Sequence, residues 1–426
     1  MQNPSRRSVL QSLGAGSAAA LIGASRAVGQ KAPPRVVVIG GGIGGASAAR
    51  ALLREDASIG VTLVEPSTQY TTCPFSNLIV AGLREISTLQ FGYDGLRRAG
   101  VTVVHEAAAA VDPDARRVRL RGGAELAYDR LVVSPGVDFR WDAIPGYSEA
   151  AASTLPHAWK AGDQTMLLRR QLEAMDDGGV VVMSVPPNPF RCPPGPYERA
   201  SLIAHYLKAR KPRAKLIVLD AKDQFSKQRL FTSAWKTLYP GVLEWVSLSS
   251  GGRVREIDPS TKTLVTEFGS HRADVANIIP PQRAGSIAGM IGVADQTGWC
   301  PIDPVTFESR LIPNIHVIGD AAIGGAMPKS AFTANAQAKV CASAIVQLLR
   351  GEAPPTPKLI NTCYSMVAPD YAISIAGVYA PKNGLLAEVD GAGGVSPLDA
   401  PNSTRAAEAA YAESWYQTMT GEVFVR

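Results

Sequence analysis

Along this chain the apolar positions first gather in a short run, Arg35–Ile39, that ends on glycines and passes into a helix-spaced stretch, Ala46–Arg54. A second apolar run, Val61–Glu65, follows. Strand, glycine turn, helix and strand in that order predict a βαβ opening. Leu131–Val133 reads as a strand running into the turn Ser134-Pro135-Gly136, and residues 165–175 read as a helix broken by Gly178-Gly179. The pattern then starts again with strand Val180–Val185, helix 198–209 and strand Leu216–Leu219. A late strand, Ile315–Ile318, and a helix over 330–349 precede the proline-rich link 353–358. Two such openings predict an α/β chain with two tandem Rossmann-like dinucleotide-fold domains and a small C-terminal α+β domain. The first domain is read as discontinuous, 30–175 and 301–352; the second covers 176–300, and 353–426 close the chain.

Length agrees: 426 residues suit two or three domains, and 46% hydrophobic residues supply a sizeable core. The net charge of +6 falls to +3 without residues 1–29, which carry Arg6, Arg7 and Arg26 and no acid. That balance does not point to nucleic acid, and the basic run from Lys208 to Lys215 reads as a solvated helix end and loop. Ser5-Arg6-Arg7-Ser8-Val9-Leu10, a mildly apolar Ala/Gly stretch and small residues at Ala27 and Gly29 form a twin-arginine export pattern, so residues 1–29 are expected to be a cleaved leader and the mature chain periplasmic. No segment reaches the uninterrupted apolar length of a membrane span. Five cysteines are too few for a disulfide scaffold and suit a redox site plus core thiols.

The chemistry starts at Gly40-x-Gly42-x-x-Gly45, placed directly between strand and helix. Gly40 permits the tight turn, Gly42 lets the backbone approach a pyrophosphate at the helix N-terminus, and Gly45 lets helix and strand pack closely. Glu65 ends the next strand at the distance of a ribose-binding carboxylate. A strand ending in Gly319-Asp320 favours FAD over NAD, because in two-domain flavoproteins of the disulfide-reductase-like kind such an Asp takes the ribityl chain. Pro328-Lys329-Ser330 then opens a helix whose N-terminus would face the flavin pyrimidine edge. The second strand–helix opening lacks the glycine motif. Val180–Val185 is followed by a loop of six prolines around Cys192, and prolines lack the N–H groups that cradle phosphate. This argues against a nicotinamide donor and puts a cysteine where the nicotinamide would lie. The loop's polarity and the following helix favour a reactive thiol, with a plain core cysteine as the other reading.

Several stretches carry a wider likeness: Tyr70-Thr71-Thr72-Cys73, Phe190 to Arg199 around Cys192-Pro193-Pro194-Gly195-Pro196, Asp220 to Gln228, and Asn361-Thr362-Cys363-Tyr364-Ser365. Through these the chain resembles the flavoprotein subunit of flavocytochrome c sulfide dehydrogenase. The resemblance implies that Cys73 carries FAD as a covalent thioether and that Cys192 and Cys363 form a redox disulfide against the flavin. It also implies that Glu198 is an active-site acid; a helix-start carboxylate facing the dipole is the alternative. A c-type cytochrome subunit is the implied partner, since the chain has no Cys-x-x-Cys-His of its own. Cys300 reads as structural, Cys341 as core, and Trp415 either walls a substrate pocket or simply packs. The function expected is oxidation of sulfide to sulfane sulfur with electrons passed to cytochrome c. A sulfide:quinone oxidoreductase and a non-catalytic electron or sulfur carrier are the rivals. The histidines are dispersed without metal-ligand spacing, so no metal site is expected.

Overall fold

Val36, Val38 and Leu63 are fully buried, the condition of strands covered on both faces, and they form the centre of a parallel sheet. The computed structural model describes residues 32–425; the twin-arginine leader expected at 1–29 lies outside them. The first sheet has five parallel strands in the order Ile315–Val317, Arg130–Val133, Arg35–Ile39, Gly60–Val64 and Thr102–Val104. The chain therefore leaves this sheet after Val133 and returns to it through Ile315–Val317, which pairs Ile315 with Leu131. Helices Ile43–Glu55 and Ala331–Arg350 pack on each other beside it. The long helix is Ala-rich, starts on a Ser330 side chain that accepts from the Thr333 N–H, and stops at Gly351 in the left-handed region.

The second sheet is also parallel, ordered Leu243–Val246, Lys215–Asp220, Val180–Val185 and Val275–Ile278. Antiparallel pairing of Val137–Phe139 with Gln282–Ala284 ties the segments entering and leaving it. Two helices begin three residues before the hydrophobic period suggests. Ile43–Glu55 includes Gly44 and Gly45, and Gly195–Arg210 takes Pro196 into its first turn, where a missing N–H costs nothing. Apolar spacing does not register such glycine and proline turns.

The C-terminal unit is antiparallel, Leu359–Ala368 against Tyr371–Lys382 against Leu385–Glu388, crossed by helix Asn402–Thr420. Strand Leu359–Ala368 also packs on helices Gly195–Arg210 and Ala331–Arg350, so it reaches both nucleotide-fold regions. No described helix is long and apolar enough to cross a membrane.

Candidate active site

The carboxyl end of the first parallel sheet, together with the loop and helix that follow strand Val180–Val185 of the second, borders a cavity of about 500 Å³. Gly40, Gly42 and Gly44 border it where the first strand turns into helix Ile43–Glu55, whose N-terminus carries no side-chain cap. Gly45 stands behind this turn, off the wall. A Cβ there would lie 1.8 Å from the Gly40 carbonyl oxygen, so the close helix–strand approach depends on its glycine. Glu65 lines the cavity with its carboxylate held by the N–H groups of Gly41 (2.8 Å) and Ser67 (2.9 Å). Gly319 and Asp320 form the facing wall. Asp320 Oδ1 is buried without a hydrogen-bond partner among the described residues, and its Oδ2 lies 3.8 Å from Arg191 Nη1. An orphaned carboxylate oxygen facing a glycine cradle fits a hydroxyl-bearing dinucleotide chain.

Lys329 lies off this wall. Its ammonium turns to the carbonyls of Asp320 (2.9 Å) and Ala322 (2.7 Å) over the Trp299 ring (4.0 Å), acceptors that compensate burial where the cavity would not. Ser330, Ala331 and Phe332 of the same helix start do reach the cavity.

Cys73 joins the wall between strand Tyr70–Thr71 and helix Ser76–Val80. At the other end stand Cys192, Cys363 and Glu198. Cys192 takes a left-handed backbone (φ 56°), with its N–H on the Lys329 carbonyl (2.7 Å) and its own carbonyl accepting from Gly195 (2.8 Å). A Cβ on Gly195 would come within 3.1 Å of the Cys192 sulfur and 2.8 Å of Trp159, so glycine leaves the thiol its place. Burial pushes this thiol well above the ordinary cysteine value; Cys363 and Glu198 add to the rise, and Lys227 and Arg191 oppose it. Loop polarity and the helix start favour the thiolate here, and burial acts against them. All five cysteines are free thiols in this structure, so Cys192 and Cys363 share a cavity without the S–S bond expected of them.

Glu198 sits in the first turn of Gly195–Arg210. Burial raises its carboxyl to about 7, against the lowering effects of Lys227, the Met366 backbone and the Asn77 side chain. Beside it the buried Arg199 donates to Asn77 Oδ1 (2.9 Å), the His157 carbonyl (2.9 Å) and Asn277 Oδ1 (3.1 Å), clamping three segments under the site. Trp415 borders the cavity and stacks on Phe332 with centroids 5.6 Å apart. Cys300 and Cys341 are fully buried core residues, and burial pushes Cys300 up to about 12.

Residue patterns alone miss Lys227, Arg191 and Asn361. Lys227 stands at the start of helix Gln228–Leu238, buried, its Nζ donating to the Cys363 carbonyl (2.8 Å), Ser365 Oγ (2.8 Å) and the Ile373 carbonyl (3.2 Å). Asn361 Nδ2 donates to Cys363 Sγ (3.4 Å) while its Oδ1 accepts from Ser330 Oγ (2.6 Å). The available signal was adjacency: Arg191 precedes Cys192, and Asn361 lies two residues before Cys363 on the same strand face.

Comparison with known proteins covers most of the chain. Residues 34–173 match the pyridine nucleotide-disulphide oxidoreductase family. Residues 165–280 match the central region of the sulfide dehydrogenase [flavocytochrome c] flavoprotein chain, and 355–424 match the flavin-binding region of flavocytochrome c sulphide dehydrogenase. The mitochondrial sulfide:quinone oxidoreductase of Mus musculus is 24% identical over 304 residues, 67% of this chain and 65% of that sequence. The chain thus spans just under two thirds of that relative. The crystal structure of the sulfide:quinone oxidoreductase from Aquifex aeolicus superposes with a TM-score of 0.73 at 18% identity, over 91% of this chain and 92% of that one, which shows a shared fold. The sulfide dehydrogenase [flavocytochrome c] flavoprotein chain of Chlorobaculum thiosulfatiphilum is 64% identical over 45 residues, 11% of this chain and 94% of that sequence. With a flavin-type cavity, a disulfide-reductase-like fold and these matches together, the chain belongs to the flavocytochrome c sulfide dehydrogenase flavoprotein family.

Proposed function

We propose that the chain is an exported, periplasmic sulfide dehydrogenase that oxidises sulfide to sulfane sulfur at Cys192 and Cys363 and passes the electrons to a c-type cytochrome partner. One observation carries the reading: two cysteines from distant segments and a carboxyl raised to about 7 meet in the same cavity as a glycine dinucleotide turn. Gly40, Gly42, Glu65 and Asp320 would hold FAD, and Cys73, on the same cavity wall, would carry its ring as a thioether. Bound FAD supplies a two-electron acceptor that can release electrons singly.

The chain's own chemistry is thiol–disulfide exchange. Cys192 and Cys363 cycle between a disulfide and two thiols. Hydrosulfide attacks the Cys192 sulfur, a new S–S bond forms, and the Cys192–Cys363 bond breaks with its electron pair on Cys363. The sulfide sulfur is oxidised to the persulfide level and the couple is reduced. Glu198 takes the persulfide proton, a role suited to an acid poised near neutrality. Trp415, Phe332 and the C-terminal unit cover the site.

The test is anaerobic flavin absorbance on mixing with sulfide. The wild type should bleach and recover with cytochrome c. Cys192→Ser and Cys363→Ser should each lose sulfide-driven bleaching by at least about a hundredfold while still bleaching with dithionite; retained bleaching in both would sink the mechanism. The quinone-linked relatives favour a second acceptor, and recovery with a short-chain quinone but not cytochrome c would select it. A carrier role would show as no turnover with sulfide alone.

A further inference from the structure

Strand Leu359–Ala368 turns an unusual face inward. Asn361, Cys363 and Ser365, alternate residues on one side, are all buried, and all but the cysteine are plainly polar. Each has a partner that converges on Cys363. Asn361 links the Ser330 hydroxyl to the Cys363 sulfur, and Lys227 binds the Cys363 carbonyl together with Ser365 and Ile373, a cross-strand pair. All three acceptors of the Lys227 ammonium are neutral, so its counter-charge has to come from the groups that face it across the site. Those facing Lys227 and the two thiols are Arg191 and Cys192 from the proline loop, Glu198 and Arg199 from helix Gly195–Arg210, Tyr379 from strand Tyr371–Lys382 and Glu408 from helix Asn402–Thr420. Among the described residues no hydrogen-bond donor reaches the Cys192 sulfur, on which Lys227 and Arg191 act only through their charge.

We propose that Lys227 is a positioning residue of the thiol couple: together with the Asn361 amide it makes Cys363, rather than Cys192, the sulfur on which negative charge rests when the couple opens. This rests on the reading of Cys192 and Cys363 as the redox pair. The attack on Cys192 then has a preferred leaving sulfur, because the electron pair of the broken S–S bond goes to the sulfur that accepts from the Asn361 amide and whose own carbonyl the Lys227 ammonium holds. Burial draws the Lys227 ammonium down to about 8, which leaves it charged at neutral pH.

The experiment is alkylation of the reduced, full-length flavoprotein with iodoacetamide across pH, with Cys192 and Cys363 read separately by mass spectrometry. In the wild type Cys363 should be alkylated faster than Cys192 across the pH range. The opposite order, or equal rates at the two thiols, overturns the proposal. Lys227→Met should slow Cys363 alkylation at neutral pH about tenfold. Lys227→Arg should restore the rate, and Ser365→Ala, which removes a neutral partner, should leave it unchanged. A lysine that only pins two strands would lower the melting temperature of Lys227→Met without slowing Cys363 alkylation, and that result also overturns the proposal. Should Lys227→Met not fold, the wild-type order of the two thiols decides. The assay uses no sulfide, so a failure of the sulfide reading, seen in the serine variants, stays separate from a failure of this one.

Discussion

Glu198 is where one side chain couples folding to chemistry. Burial raises its carboxyl from an ordinary 4.5 to about 7. Below 4.5 the folded and unfolded chains are both protonated there. As pH rises towards 7 the unfolded chain releases its proton and the folded chain keeps it, so this group's support for folding is lost across that window. Glu198→Gln removes the effect. Its stability relative to wild type should therefore improve from pH 5 to pH 8, by about 3 kcal/mol at most, while sulfide-driven flavin reduction falls; urea unfolding at the two pH values checks the first part. An unchanged difference between the two pH values would mean that the carboxyl is ionised in the folded chain. Cys73 permits a second test at this scale. Cys73→Ser should still bind flavin through the glycine turn and Asp320 but release it in denaturant, where the wild type should keep it on the chain if the proposed thioether is formed. The cysteines and Glu198 could be read from the sequence because their local contexts are distinctive. Lys227 could not: between Ser226 and Gln228 it looks like a surface lysine, and only strands Leu359–Ala368 and Tyr371–Lys382 packing over it make it a buried cation.

Among the elements, helix Asn402–Thr420 shows how a polar interior hides a structural role. Its buried positions include Arg405 and Glu408 besides Ala412, Tyr416 and Met419, so it lacks the continuous apolar stripe that marks a packed helix. Arg405, 1% exposed, donates to the carbonyls of Pro397 (2.6 Å) and Leu398 (3.3 Å) and to Glu408 Oε2 (3.4 Å). Glu408 Oε1 accepts from Ser374 (2.8 Å) and from Ser396. This network lashes the helix to its strand and holds Ala412 and Trp415 at the cavity. Arg405→Met leaves a buried carboxylate without its cation and should cost about 3–5 kcal/mol. Limited proteolysis should then cut near residue 400, and sulfide reduction of the flavin should slow as the wall loosens. Arg405→Met combined with Glu408→Gln should recover part of the loss. The inner parallel strands, by contrast, were legible, since a strand buried on both faces must be nearly continuous in apolar residues, as Val36–Ile39 and Val181–Val185 are, whereas the edge strands Thr102–Val104, Leu243–Val246 and Val275–Ile278 were not read from the sequence.

The whole molecule sets two nucleotide-type sheets side by side, and they have different uses. In an open parallel sheet the ligand crevice lies at the carboxyl ends of the strands. At the first sheet that crevice keeps its glycine turn and its acid, Glu65, both on the cavity wall. At the second, the strand–helix turn is the proline loop that carries Cys192. The acid ending its next strand, Asp220, is fully buried, its Oδ2 taken by the Tyr197 hydroxyl (2.6 Å) and Trp245 Nε1 (3.0 Å) and its Oδ1 by Lys222 (2.6 Å). Lys222 in turn donates to the Pro186 carbonyl (3.0 Å), and Tyr197 stacks on Phe225 at 3.6 Å. A ribose would have to break a buried ion pair and two further hydrogen bonds to reach that carboxylate, and a pyrophosphate would meet prolines where donors are needed. The expected outcome is that NADH at millimolar concentration leaves the flavin oxidised over the time in which sulfide bleaches it completely. Asp220→Asn should weaken folding, because Lys222 loses its partner, without creating any response to NADH. Bleaching by NADH at a rate comparable with sulfide would show that the second sheet still admits a dinucleotide, and the proline loop would then have to move to let it in.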